Sequence, residues 1–76
     1  PFRVKARTEI ADFNRAFGTD FPDDDFDTVG GLLIQRFGRL PKRGESMTIE
    51  GLRVQVLRGD SRRLNLLKVQ PLPGRS

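Results

Sequence analysis

The spacing of hydrophobic residues at the start of the chain predicts a strand followed by a helix. Apolar and charged side chains alternate over residues 2–6, which is the period of a half-buried strand with its apolar residues facing the core. Over residues 9–17 the apolar side chains recur at helical spacing, which favours a helix with one buried face. Thr8 has a side chain that commonly caps a helix N-terminus, and Gly18 can adopt the left-handed conformation that ends a helix.

A second helix is predicted within the stretch from Asp23 to Pro41, which opens with four carboxylates in five residues. The helix is expected to begin between residues 25 and 28, capped by one of the acidic side chains or by Thr28. Gly30 and Gly31 each disfavour a helix interior by about 1 kcal/mol relative to alanine. We therefore expect another backbone, most simply that of the sheet, to approach the helix closely at this glycine pair.

The last part of the chain predicts three antiparallel strands. Apolar and polar residues alternate over residues 47–49, 52–56 and 64–69, with Leu67 out of phase in the third run. Turn sequences that contain glycine separate the runs, so we expect the three strands to pair as a meander.

The order of these elements predicts an α+β fold. It consists of a strand, two helices and a three-stranded antiparallel meander, with the helices packed on one sheet face. A chain of 76 residues is the size of one small domain. The domain is expected to occupy residues 1–70, and residues 71–76 are expected to form a loose C-terminal tail. Because the chain begins at Pro1 rather than methionine, we expect it to be a fragment of a longer protein.

The composition argues against several classes of site. The sequence contains no cysteine and no histidine, so it lacks the commonest transition-metal ligand and the commonest general base. It has no uncharged apolar run of 18 residues, so no membrane-spanning helix is expected. The net charge of +4 is uneven: residues 1–27 hold four basic and seven acidic residues, and residues 28–76 hold ten basic and three acidic residues. Such a split is found in proteins that bind nucleic acid or phosphate, and equally in solvated surfaces that pair internally.

Asp23, Asp25 and Asp27 are spaced like the first three ligands of a calcium-binding loop. The rest of that motif is missing, since Thr28 stands where the loop needs glycine and Ile34 where it needs a bidentate glutamate. Two interpretations stay open. One is a weaker site for magnesium, calcium or cobalt that uses two of these carboxylates. The other is helix capping and compensation of the helix dipole, which explains the same residues more simply.

Arg58, Arg62 and Arg63, near Arg53 on the neighbouring strand, form a candidate interaction patch for phosphate, nucleotide or anionic lipid. Successive residues of a strand point to opposite faces, so only one of Arg62 and Arg63 can join a patch on a given face. The alternative is a set of solvated arginines, some of which pair with the acidic loop.

Several stretches of the sequence together resemble a known family. Residues 25–32 are DFDTVGGL, residues 37–41 are FGRLP and residues 60–64 are DSRRL. With the IADFN segment at residues 10–14, they resemble the transporter-associated domain at the C-terminus of CorC- and HlyC-type magnesium and cobalt efflux proteins. The resemblance covers about residues 2–70.

The resemblance implies a non-catalytic regulatory domain that modulates ion transport and carries no cofactor. Its implied partners are a pair of CBS domains in the same polypeptide, a second copy of the domain or a membrane transporter. It implies a cytoplasmic location at the inner face of the cell membrane. The alternative is a small nucleic-acid-binding module that uses the basic half of the chain, which the acidic loop and the scarcity of exposed aromatic residues disfavour.

Overall fold

A computed structural model describes residues 1–74 of the chain. Two helices and four strands follow one another along these residues. In chain order they are β1 (Phe2–Lys5), α1 (Ile10–Phe17), α2 (Val29–Phe37), β2 (Ser46–Ile49), β3 (Leu52–Gly59) and β4 (Leu64–Pro71).

The strands form one antiparallel sheet in the order β1-β4-β3-β2. The predicted α+β class is confirmed, and β2, β3 and β4 form the predicted meander. The prediction of a three-stranded sheet is incomplete, because β1 adds a fourth strand by pairing with β4 from Phe2 opposite Val69 to Lys5 opposite Leu66. This pairing joins the two ends of the chain, and so no local sequence pattern indicates it.

The hydrophobic core lies between one face of the sheet and the two helices. In β3 the alternation is regular, and Leu52, Val54 and Val56 are at most 1% exposed. The core also contains apolar residues of both helices, of β4 and of the adjoining segments. These are Ala6, Ile10, Phe13, Phe21, Val29, Leu32, Leu33, Ile49, Leu64, Leu67 and Val69.

The expectation that Leu67 lies out of phase with the core is wrong. Val56 lies opposite Leu67, but the register between β3 and β4 then shifts, so that Arg58 lies opposite Leu66 and Gly59 opposite Leu64. Such irregularities insert an extra residue into one strand and reverse the inward and outward alternation. As a result Leu64 and Leu67 are both buried, although they are three positions apart and regular alternation would place them on opposite faces of the sheet.

Phe2 departs from the inward position predicted for it. Its side chain is 55% exposed, although Val4 packs partly against the core. β1 is an edge strand, and the Phe2 ring meets the ring of Phe17 at the end of α1 with 5.5 Å between centroids. The helix ends there, so it covers Phe2 on one side only.

The ends of the helices are set by specific residues. Thr28 caps α2, and its Oγ1 accepts a hydrogen bond from the Gly31 N–H at 3.3 Å. The prediction that Thr8 caps α1 is wrong, since Glu9 occupies the N-cap and makes no side-chain cap bond. The chain stays extended for one residue longer because Glu9 forms an isolated antiparallel bridge with Thr28. Gly18 takes the predicted left-handed conformation.

The ordered C-terminal part extends past residue 70. β4 runs through Pro71, and the Leu72 N–H donates a hydrogen bond to the Gly51 carbonyl at 3.0 Å. Pro71 and Leu72, which were predicted to lie in a loose tail, are therefore part of the ordered fold. The end of the predicted tail, residues 75–76, lies outside the described part of the chain.

Candidate functional site

Gly30 of α2 lies where the helix packs closely against the segment after β1. The Gly30 N–H donates a hydrogen bond to the Ala6 carbonyl at 2.8 Å. A Cβ atom placed on Gly30 would lie 3.0 Å from both the Cβ and the carbonyl oxygen of Ala6. The predicted close approach of another backbone is confirmed at Gly30, where the neighbour is the residue that follows β1. A Cβ on Gly31 would meet side chains only, the nearest being Phe26 at 3.4 Å.

The acidic loop before α2 does not gather its carboxylates around one point. Asp23, Asp25 and Asp27 are all exposed. Among residues 1–74, no group of three or more acidic, cysteine or histidine side chains lies close enough to hold a metal ion. The α2 N-cap is Thr28 rather than one of these aspartates. A cation site that uses two of the carboxylates stays a prediction.

Asp60 fixes the turn that carries the candidate arginines. Its Oδ1 accepts hydrogen bonds from the Arg62 N–H at 2.7 Å and the Arg63 N–H at 2.9 Å. The bond from the Arg62 N–H, followed by that from the Arg63 N–H, holds the pKa of the Asp60 carboxyl below its ordinary value. The Asp60 N–H in turn donates to the Arg63 carbonyl at 2.9 Å. The turn therefore sets the direction of the backbone at Arg63.

Two of the three candidate arginines line the same cavity. Arg58 and Arg63 line a cavity of about 430 Å³ together with Lys5 and Arg7, whereas Arg62 is not among the lining residues. We call Lys5, Arg7, Arg58 and Arg63 the basic notch. Sequence reasoning did not find Lys5 and Arg7, because only the pairing of β1 with β4 brings them beside the hairpin between β3 and β4.

The sheet face away from the helices carries mainly basic and amide side chains, with Leu57 beside Arg3 and Lys68. The four strands contain no acidic residue. On the outward side Lys68 lies opposite Arg3 on one neighbouring strand and opposite Gln55 on the other. Arg53 lies opposite Gln70, and these two residues line a shallow depression of about 120 Å³ with Gln55 and Lys68. We call Arg3, Arg53, Gln55, Lys68 and Gln70 the open face.

An ion pair joins the end of α2 to the start of β2. The Arg39 Nη1 donates to the Glu45 Oε2 at 2.8 Å, and the Lys42 N–H donates to the same oxygen at 2.6 Å. Hydrogen bonding from Arg39, followed by that from Lys42, lowers the pKa of Glu45 from 4.5 to about 2. The same carboxylate raises the pKa of Arg39. This arginine is therefore engaged within the fold, unlike the cations of the notch.

The helices found in residues 1–74 are too short and insufficiently apolar to cross a bilayer.

Two related domains of known structure are relevant to metal binding and to the protein context of this fold. A transporter associated domain of a Xylella fastidiosa hemolysin is described in complex with Mg²⁺ and Mn²⁺. It is 26% identical, has a TM-score of 0.82 and covers 92% of this chain and 85% of its own. A domain from Porphyromonas gingivalis is described as coming from a CBS domain protein. It is 25% identical, has a TM-score of 0.76, and covers 92% of this chain and 86% of its own.

Nearer relatives agree on one family. The magnesium and cobalt efflux protein CorC of Pasteurella multocida is 50% identical over 68 residues, and that of Vibrio cholerae is 53% identical over 68 residues. Each alignment covers 90% of this chain but 23% of the relative, so the chain spans about a quarter of the length of those proteins. The CorC-associated region from Neisseria meningitidis has a TM-score of 0.89 and 47% identity, covering 92% of this chain and 86% of its own.

The sequence model of the transporter associated domain, CorC_HlyC, matches residues 1–73. This match spans both helices and all four strands described above. The chain therefore belongs to the CorC_HlyC family of transporter associated domains.

Proposed function

We propose that this domain is a non-catalytic regulatory part of a magnesium and cobalt efflux protein. It modulates ion transport by docking its open face on an acidic surface of the CBS domain pair in the same polypeptide. The observation that carries this proposal is the open face itself, a sheet surface with Arg3, Arg53 and Lys68 and with no acidic residue in any strand.

The shape of the open face suits a protein partner better than a small substrate. Helices cover one face of the sheet, whereas the other presents basic and amide side chains over two depressions, one of about 120 Å³ and one of about 280 Å³ beside Leu57. Both lie below the range of about 300 to 1,000 Å³ that is usual for small-molecule sites. Charge complementarity between two protein surfaces guides their encounter and fixes their orientation. A basic sheet face therefore favours an acidic docking surface.

A regulatory role agrees with the chemistry that the chain offers. It has neither histidine nor cysteine, and the family to which it belongs is a transporter associated domain rather than a known catalytic family. The relatives named as efflux proteins are much longer than this chain, which supports an accessory part within a larger protein. We place the domain in the cytoplasm, at the inner face of the membrane across which ions are exported.

The test compares charge reversals on and off the open face. The 76-residue chain is added to the CBS pair expressed separately, and its backbone amide NMR signals are followed during the titration. R53E and K68E are expected to weaken binding by about tenfold, because each places a negative charge before an acidic partner. R36E makes the same charge change at an exposed residue of α2, in the helix layer on the other side of the sheet, and is expected to stay within about twofold of wild type. Equal losses in all three variants, or none, would contradict docking by the open face.

Two further measurements separate the other partners. Sedimentation of the chain alone shows whether it associates with a second copy. Efflux of Mg²⁺ and Co²⁺ from cells that carry R53E in the full-length protein measures the effect of this face on transport. Salt-dependent binding of generic DNA or RNA at micromolar concentration would favour the nucleic-acid alternative. Unchanged efflux in the R53E protein would contradict a regulatory role for this face.

A divalent cation site in the acidic loop is the second candidate function. It is supported by the Xylella fastidiosa relative described with Mg²⁺ and Mn²⁺. Calorimetric titration of the chain with each metal, compared with the D23N/D25N double variant, tests it directly. Saturable heat that disappears in the double variant would establish the site. Absence of heat at millimolar metal would remove it.

A further inference from the structure

We propose that the basic notch binds phosphoryl groups, at the end of the sheet away from Arg53 and Gln70 of the open face. Its four cationic side chains, those of Lys5, Arg7, Arg58 and Arg63, line one cavity of about 430 Å³. This volume lies within the range of about 300 to 1,000 Å³ that is usual for small-ligand sites. The remaining lining residues are Leu64, Asn65 and Leu66, so no acidic side chain contributes to the wall.

No side chain of the notch forms an ion pair with an acidic side chain of residues 1–74, although the Asp60 carboxylate attracts Arg63 electrostatically. Among residues 1–74 the ion pairs are Arg15 with Asp12 and Arg39 with Glu45, neither of which involves the notch. Asp60 is the acidic residue of the adjoining turn, but its Oδ1 accepts from two backbone N–H groups. Gathering like charges in one cavity costs electrostatic free energy unless an anion balances them. The notch is therefore complementary to a ligand that carries several negative charges.

Hydrogen bonding fixes the backbone beneath each cation. Leu66 of β4 has Lys5 as its register partner on one side and Arg58 on the other, so these two cations flank it across the sheet. The Asp60 turn holds the backbone at Arg63. The segment before Arg7 is tied to β4, because the Ala6 N–H donates to the Asn65 carbonyl at 2.9 Å. Binding would consequently order side chains but not the main chain, which keeps the entropic cost of binding low.

The chemistry of the side chains selects phosphoryl groups. Three of the four cations are arginines, whose planar guanidinium groups present paired donors that match phosphate oxygens. The neighbouring N-terminus of α2 offers little help, since its first amides already donate within the protein, Val29 to Thr8 and Gly30 to Ala6. Recognition therefore depends on the side chains. A ligand with two linked phosphoryl groups would match the charge of the notch better than a single carboxylate.

The probe for this site is inorganic pyrophosphate, titrated calorimetrically into the 76-residue chain at low salt. The Neisseria meningitidis relative was solved as a chain of similar length, so a domain of this size folds by itself. R63Q and R58Q are each expected to weaken pyrophosphate binding by about tenfold or more, as expected for losing a charge-assisted hydrogen bond. R62Q removes the same charge from the next residue, outside the cavity, and is expected to stay within about twofold. Circular dichroism checks that each variant is folded. If one of R63Q and R58Q unfolds, the other alone tests pyrophosphate binding.

Vesicles that contain phosphatidylglycerol identify the source of the phosphoryl group. Vesicle binding that pyrophosphate displaces and R63Q abolishes points to lipid headgroups. Pyrophosphate binding without vesicle binding points to a soluble phosphate ester, and both outcomes support the site. Equal weakening by R62Q and R63Q, or no saturable binding of pyrophosphate at millimolar concentration, would overturn the proposal. R53E on the open face should leave pyrophosphate binding within about twofold, so failure of this site and failure of the docking face are distinguishable.

Discussion

The side-chain amide of Asn14 pairs with both polar groups of the Phe21 backbone. Its Nδ2 donates to the Phe21 carbonyl at 2.9 Å, and its Oδ1 accepts from the Phe21 N–H at 3.0 Å. The same Oδ1 also accepts from the Thr19 hydroxyl at 2.8 Å. One helix residue thereby holds the loop that follows α1, and the buried Phe21 ring stays in the core.

Replacing Asn14 by alanine is expected to lower the free energy of unfolding by about 2 kcal/mol, because hydrogen bonds from three groups are lost in a partly buried place. Asn65→Ala is the matched control, since that side chain is exposed and makes no side-chain hydrogen bond within residues 1–74. It is expected to cost less than about 0.5 kcal/mol. Urea denaturation measures both, and an N14A protein as stable as N65A would contradict the role assigned to Asn14.

The two adjacent glycines of α2 are expected to respond differently to alanine. Gly30→Ala places a Cβ 3.0 Å from the Ala6 carbonyl oxygen. Steric overlap with Ala6 destabilises the variant, whereas the higher helix propensity of alanine stabilises it. The net effect is expected to lower the free energy of unfolding by about 1 to 2 kcal/mol. Gly31→Ala meets ordinary contacts and is expected to be neutral or stabilising by up to about 1 kcal/mol. Thermal unfolding of the two variants measures this difference in stability. Similar losses of stability in both would show that packing against Ala6 is not the reason for glycine at position 30.

Helix capping distinguishes two threonines. Thr28→Ala removes the acceptor for the Gly31 N–H and is expected to lower the free energy of unfolding by about 1 kcal/mol. Thr8 is not an N-cap, and Thr8→Ala is expected to change stability by less than about 0.5 kcal/mol. Denaturant titrations of both variants test the assignment. A larger loss in T8A than in T28A would reverse it.

Acid is expected to weaken the fold in part through Glu45. Its pKa is lowered from 4.5 to about 2, so the carboxylate form stabilises the folded chain. This contribution is fully present above pH 4.5 and is lost as the pH falls through about 2. Glu45→Gln is expected to reduce the pH dependence of unfolding inside this window, as measured by urea denaturation at several pH values. An unchanged slope in E45Q would contradict the prediction.

The sequence predicted the features that depend on neighbours in the chain. The regular alternation of Leu52, Val54 and Val56 and the left-handed conformation of Gly18 each depend on a few consecutive residues, and both are present. The burial of Leu67 was mispredicted, because a register shift between strands leaves no local mark. The notch shows the same limit. Arg58, Arg62 and Arg63 stood out as a group, but Arg62 lies outside the notch, and Lys5 joins the other two only through pairing between the two ends of the chain.

The pairing of β1 with β4 has a mechanical consequence. Because the strands are antiparallel with Phe2 opposite Val69, the first and last residues of the sheet leave it at the same end. Tension applied between the two ends of the chain would load the hydrogen bonds of this ladder one after another, as in opening a zipper, rather than all together in shear. Four residue pairs join the strands, so β1 would peel away at low force while the meander stayed intact. A pull on the chain next to Pro1 would therefore open the strand pair from Phe2 towards Lys5, and the basic notch would lose Lys5 while the meander stayed folded.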